Sequence, residues 1–439
     1  MAEVRPMAEV WDRLAIGAWR SAGHVLQPAA GIILRERERR GKEESKRLAE
    51  RRGQASRRRP PGPLAWVHAA SVGETNAALP LVAGLQERGL GIVLTTGTVT
   101  SAAIAASRLE AGAVHQYAPL DVPVFCDRFL RHWRPDLAVF VESELWPTAM
   151  DELYRRSVPL VLINGRMSER SYRRWRQSGV IGRTIMRRIG LCLAQTGDDA
   201  ARFRELGVGE VVVTGNLKFD VPELAAPQGE MSAFRAAIGA RPVFLAASLH
   251  PGEDEMALAA AERLRAERPE LFTIIAPRHP ERAADIAALA AQRGLSARLR
   301  SEGALPDAGT ELFIADTIGE MGLWYRLADI AFLGGTLVPH GGQNPIEPAK
   351  LGVPVLHGPH TANFAGIFAM LKAAGATVAI ASAEELGEHA ASLLADPARR
   401  QRLAAAASSC VEGSAGALER SLAALSAYLP AAPAGHAGG

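Results

Sequence analysis

Between Leu64 and Phe364 the chain alternates short apolar runs with longer stretches of mixed apolar and polar residues. Runs of that length read as strands, and a run that is apolar throughout reads as a strand buried on both faces. The first set of predicted strands is Leu64–Ala70, Gly91–Thr96, Val114–Tyr117, Leu137–Val141, Val158–Ile163, Leu191–Gln195 and Val211–Thr214. Helices are predicted over Ala77–Glu87, from Ser101, and from Asp121-Val122-Pro123 towards Trp133. Val221–Glu230, rich in proline, alanine and polar residues, reads as an interdomain linker. Beyond it the pattern restarts, with a strand from Val243, helix Met256–Glu267, strand Phe272–Ala276 and a further short strand before Asp316. Helix Met321–Leu327 and strands Ile330–Leu333 and Val353–Leu356 follow, then a helical tail, Ala383–Tyr428, expected to pack back on the first domain. Residues Pro430–Gly439 are expected to be disordered. Strand alternating with helix, twice over, predicts an α/β protein of two Rossmann-like domains.

The predicted strands deliver polar residues at their carboxyl ends, where doubly wound sheets bind ligands. After the first strand come Ser71, Gly73 and Glu74, with Ser71 a candidate helix cap. Glu74 at a helix start either complements the dipole or acts as a general base. Glu142 and Glu144 follow a buried strand, where carboxylates are costly unless partnered or working. Arg166 and the arginines after it are open to solvent or to an anionic substrate, and Lys218 follows a strand and a glycine. A fixed ammonium there stabilises developing negative charge. In the second half, Ala-Ser-Leu-His-Pro-Gly-Glu (247–253) repeats the design of the first strand–turn–helix, and Arg278 directly follows a strand, well placed for a phosphate. The richest stretch is Asp316–Phe364, with Ile318, Gly319 and Glu320 in a turn and the glycine pairs 334–335 and 341–342. Asn344 reads as an N-cap with Pro345 at the first helical position, followed by Ile346 and Glu347. Free backbone N–H groups at such a helix start suit an anion, and Glu347 suits ribose hydroxyls.

A chain of 439 residues is long for one core and suggests two domains. The net charge of +3 hides a basic N-terminal segment, dense in Arg and Lys from Arg35 to Arg59. Before it, Trp11, Leu14, Ile16, Trp19, Val25, Leu26 and Ile32–Leu34 are apolar but broken by Arg13, Arg20 and His24. No run spans a bilayer or resembles a secretory signal, which leaves an interfacial anchor on an anionic membrane surface or a solvated helix and linker. Nucleic acid is disfavoured, since no aromatics interleave the basic run. Three scattered cysteines give neither a disulfide framework nor metal spacing, and no His-x-x-x-His, Cys-x-x-Cys or Asp-x-Asp occurs. Neither a tightly held metal nor a cofactor is expected. The expected division is a membrane-associating segment 1–63, domains 64–222 and 223–410, and a returning helix and tail 411–439.

Taken together, HAASVGE, ESELWP, NGRMS, TGNLKFD, ASLHPGE, PRHPER, DTIGEMGLWY and GGQNPIEPAKLGVPVLHGPHTANF resemble the Kdo (3-deoxy-D-manno-oct-2-ulosonic acid) transferases of lipopolysaccharide synthesis, in order from about residue 64 to 365. The resemblance implies a GT-B glycosyltransferase, two Rossmann-like domains facing a cleft, with metal-independent inverting transfer from CMP-Kdo to the lipid A precursor. It implies Glu74 as general base, and Glu142 and Lys218 as transition-state stabilisers. Pro277-Arg278, Ile318-Gly319-Glu320 and Asn344-Pro345-Ile346-Glu347 match its CMP-contacting segments. It also implies work at the cytoplasmic face of the inner membrane, with this N-terminus peripheral or anchoring. The alternatives are another GT-B enzyme using a UDP-sugar, or a catalytically silent nucleotide-binding membrane adaptor.

Overall fold

The computed structural model describes residues 4–25 and 27–429. Leu26 and Pro430–Gly439, named above, lie outside the described residues, as do the side chains of Trp11 and Arg13. The chain forms two compact units. One runs to Val221 and takes the chain back from Ser414; the other is Pro222–Gly413.

The first unit holds seven strands: β1 Leu64–His68, β2 Gly91–Thr96, β3 Ala113–Tyr117, β4 Leu137–Val141, β5 Leu160–Gly165, β6 Leu191–Ala194 and β7 Val211–Val213. They lie in the order β3-β2-β1-β4-β5-β6-β7, all parallel. Alternate side chains feed two separate cores: Leu64 and Trp66 of β1 join Ala138 and Phe140 of β4 on one face. Ala65 and Val67 join Leu137, Val139 and Val141 on the other. That two-residue period, apolar on both faces, is why the strands read as continuous runs.

The second unit repeats the plan with β8 Val243–Leu249, β9 Phe272–Pro277, β10 Ala297–Leu299, β11 Leu312–Ile314, β12 Ile330–Leu333, β13 Val355–His357 and β14 Thr377–Ala379. The order is β10-β11-β9-β8-β12-β13-β14, again parallel. Two of these, β10 and β14, are additions to the predicted set. Both are three-residue edge strands without a fully buried run, so the apolar signal is missing. The expected linker is shorter than its composition suggests, because helix Gln228–Ile238 starts inside it.

The segment before Leu64 is not an appendage. After helices Val4–Val25 and Gln27–Arg39, the chain buries Glu43, Glu50 and Arg51 in the first unit. Arg51 donates to the carbonyls of Gly97 at 2.7 Å and Ala118 at 3.2 Å and to Glu43 at 2.8 Å. Glu50 accepts from the backbone N–H of Tyr117 at 2.7 Å and pairs with Arg47 at 2.8 Å. Arg59 donates to the Trp133 carbonyl at 2.7 Å. The basic run therefore supplies arginines to loops and carbonyls of the first sheet, where a buried guanidinium is tolerable only when its donors are satisfied. Among the described residues, no helix is long and apolar enough to cross a membrane.

Candidate active site

Each sheet has one topological switch point. In the first it lies between β1 and β4, in the second between β8 and β12, and crevices at such points are where open α/β sheets take ligands.

At the first switch point, β1 leads into helix Val72–Gln86, capped by Ser71. Ser71 Oγ accepts from the Glu74 N–H at 3.3 Å and donates to Glu74 Oε1 at 2.9 Å. Glu74 Oε2 accepts from the Ala70 N–H at 2.7 Å. This capping pair starts the helix at Val72, well before the predicted Ala77. Glu74 stays half-buried and is paired with no cation among the described residues. Burial, then the charges of Glu144 and Glu142, hold its carboxyl above the usual carboxylate range, opposed by the bonds from Ser71 and Ala70.

Across the switch point, Glu142 follows β4 with φ at +60°, a conformation that costs a non-glycine residue about 1 kcal/mol or more. Its Oε1 lies 2.6 Å from Lys218 Nζ and accepts from Asn164 Nδ2 at 3.3 Å. Asn164, fully buried at the end of β5, also accepts from the Leu217 N–H at 3.0 Å. Asn164 therefore ties the β4 loop to the Leu217–Phe219 turn that carries Lys218. Sequence reasoning gave Asn164 no role; its only signal was its place at a strand end. Glu142 and Lys218, named separately from the sequence, are one ion pair.

Glu144 is held differently. It accepts from Trp146 Nε1 at 2.7 Å and from His68 Nε2 at 3.4 Å. The Glu144 carboxylate only accepts, so His68 Nε2 carries the proton that faces it. Thr95 Oγ1, which accepts from Trp66 Nε1 at 2.8 Å, lies 2.9 Å from His68 Nδ1. Burial pushes the Glu144 carboxyl up, but the His68 and Trp146 bonds outweigh it and hold the group below its ordinary value. His68, Thr95 and Trp146 were not singled out from the sequence.

The second switch point is built around Glu253, which is fully buried. Its Oε2 accepts from the N–H groups of His250 at 3.0 Å and Gly335 at 2.6 Å. Its Oε1 accepts from Thr336 and Leu337, each at 3.0 Å. Three amides of the loop after β12, those of Gly335, Thr336 and Leu337, are thus consumed by a carboxylate from the same unit. Gly334 allows the approach: a Cβ there would sit 2.4 Å from the Ser248 carbonyl oxygen.

The expected cap at Asn344 is also displaced. Pro345 occupies the cap position, and the helix Ile346–Lys350 has only five residues, too short for a substantial dipole. Asn344 Oδ1 accepts from the Ile346 N–H at 3.2 Å, while its Nδ2 donates to Glu347 Oε1 at 3.2 Å. Burial holds the Glu347 carboxyl above its usual range, against the Asn344 bond and the charge of Arg278. Arg278 leaves β9 directly after Pro277 with an exposed side chain. After β11, Ile318 is 88% exposed and Gly319 has φ of +95°. Glu320 is committed to Arg300, whose Nε and Nη2 donate at 3.0 and 2.7 Å. That bond, against burial and with help from Thr317, holds the Glu320 carboxyl low. Among the described residues, no group of His, Cys, Asp or Glu is arranged to hold a metal ion.

Two parallel seven-stranded sheets, one in each unit, are the two-domain α/β architecture of the GT-B fold. A UDP-GlcNAc 2-epimerase from Neisseria meningitidis, solved with UDP-GlcNAc, shares this fold with a TM-score of 0.58 over 83% of this chain and 99% of that one, at 15% identity. Residues 46–221 match the family model of 3-deoxy-D-manno-octulosonic-acid transferases. The 3-deoxy-D-manno-octulosonic acid transferase of Haemophilus influenzae is 37% identical over 87% of this chain and 91% of its own length. That of Bordetella pertussis is 39% identical over 84% and 89%. The chain belongs to the 3-deoxy-D-manno-octulosonic acid transferase family and is a glycosyltransferase.

Proposed function

We propose that this enzyme transfers Kdo from CMP-Kdo to the lipid A precursor (lipid IVA) with inversion, and that Glu74 is its general base. The observation that carries this reading is Glu74 itself, a carboxylate paired with no cation among the described residues, at the first switch point, whose basicity burial and Glu144 raise. Glu74 takes the proton of the acceptor hydroxyl as the hydroxyl oxygen attacks the anomeric carbon of Kdo from the face opposite the phosphate. The bond from that carbon to the phosphate oxygen breaks, and CMP departs with the bonding pair. The Lys218–Glu142 pair supplies a fixed dipole for the charge that develops. The CMP moiety is assigned to Pro277-Arg278, Ile318-Gly319-Glu320 and Asn344-Pro345-Ile346-Glu347.

An amphiphilic acceptor is supported by the surface of the first unit. Trp19, Leu145, Pro147, Trp175 and Ile181 line a groove of about 420 Å³ beside Ser143, in the same loop as Glu142 and Glu144. On the N-terminal helices Leu14, Val25, Ile32 and Ile33 are exposed. Together with Arg35 and Arg39 they fit peripheral attachment to an anionic membrane surface at the cytoplasmic face of the inner membrane.

The test is transfer from CMP-Kdo, generated in situ, to a tetraacylated lipid A precursor, with product mass read with and without chelator. A gain of one or more Kdo units, unchanged by chelator, is expected. Intact protein that forms no product, and whose nucleotide site prefers UDP to CMP, would overturn the reading.

A further inference from the structure

Of the histidines at the carboxyl ends of the second sheet, His250, His279 and His340 cluster together, and the reaction above leaves them without a role. His250 and His279 lie one and two residues beyond the ends of β8 and β9, and His340 lies in the loop that follows β12. The His250 ring stacks on the His340 ring at 3.6 Å, and the His279 ring stands edge-on at 6.1 Å. Gln343 Nε2 lies 2.9 Å from His250 Nε2; an amide nitrogen only donates, so neutral His250 carries its proton on Nδ1. His279, His340 and Arg278 are exposed.

The acidic groups around the cluster are largely committed elsewhere. Glu253 is saturated by four amides, Asp254 is paired with Arg282, and Glu347 is held by Asn344. Glu281, exposed, stands 3.8 Å from His279 Nδ1. Because Glu253 has taken the N–H groups of Gly335, Thr336 and Leu337, an anionic donor needs other partners beside them.

We propose that His250, His340 and His279, with Arg278, form the subsite for the phosphate of the nucleotide. The proposal rests on the nucleotide-donor reading of this unit. Positive charge on His250 is costly there without a counter-ion: burial, then His340, His279, Arg278 and Arg282, depress it to about 4. A bound phosphate supplies the missing negative charge and draws protons onto the stack, with Gln343 turning its amide oxygen towards the His250 Nε2–H. Binding therefore tightens as pH falls through the imidazole range.

The experiment is calorimetric titration of the full chain with CMP, cytidine and inorganic phosphate at about pH 6.5, in two buffers of different ionisation enthalpy. Wild type is compared with His250→Asn and His340→Asn; His340 is exposed, so its variant leaves the buried core untouched. Proton release by the CMP phosphate is common to all three proteins, so the difference isolates the histidines. The expected result is greater proton uptake with CMP in wild type than in either variant. CMP affinity falls roughly tenfold in the variants, cytidine affinity is unchanged, and inorganic phosphate competes with CMP. Equal uptake and equal CMP affinity in wild type and His340→Asn overturn the subsite, as does an equal loss of cytidine affinity. Absence of CMP binding by wild type removes the nucleotide reading itself and the subsite with it.

Discussion

Both sheets are left by the same two residues, Gly73-Glu74 after β1 and Gly252-Glu253 after β8, each opening a helix beside a switch point. The two glutamates have opposite fates. Glu253 has no exposed surface and spends its acceptor capacity on four backbone N–H groups. Among the described residues Glu74 takes only the bonds of its own turn; it stays half-buried and feels the charges of two further carboxylates. The difference comes from the loop across the switch point. After β12 it presents backbone amides, which satisfy a charge; after β4 it presents Glu142 and Glu144, which make a neighbouring carboxyl more basic. One design thus yields a structural anchor in one unit and a candidate base in the other.

The widest gap between them is expected from removing each side chain. Glu74→Ala should lower transfer about 10²–10⁴-fold while the urea midpoint moves little. Transfer at the wild-type rate would place the base elsewhere. Glu253→Gln sets an amide donor against backbone donors, and a loss of about 3–5 kcal/mol in urea unfolding of the full chain is expected. A midpoint shift as small as that of Glu74→Ala would erase the contrast. Ser71→Ala removes the cap that orients Glu74 and should cost about 0.5–2 kcal/mol of stability. The subtlest change is Glu144→Gln. It deletes a negative charge that raises the Glu74 carboxyl, so Glu74 ionises more readily. The acidic limb of the kcat/KM profile should then move to lower pH, and a limb that stays put would uncouple the two residues.

Much of the scaffold was legible in the chain. Gly91–Thr96, Leu137–Val141, Ile330–Leu333 and helix Met321–Leu327 fall where the apolar pattern puts them. Strand-end position alone drew attention to Glu74, Glu142, Lys218 and Arg278. Partnership was not legible: nothing near Lys218 announces Glu142, and nothing near Arg51 announces the Gly97 and Ala118 carbonyls. Arginines from 47 to 59 look the same in sequence whether solvated or buried against a sheet. Asn344 was read as a cap because the Asn-Pro pair favours one, yet the chain delays the helix by a residue and turns Asn344 to Glu347.

The sequence by itself determined the two parallel sheets, their order of elements and the loops that carry chemistry. Strand periodicity and burial on both faces are written into consecutive residues, and the switch points follow from the order in which the strands pair. Tertiary structure alone decided which of two identical Gly-Glu turns is saturated. Three of the four amides that hold Glu253 lie 82 to 84 residues further along the chain. A carboxylate's charge and basicity depend on which donors and charges folding brings within a few ångströms, and that is a property of the packed sheet edge rather than of neighbouring residues.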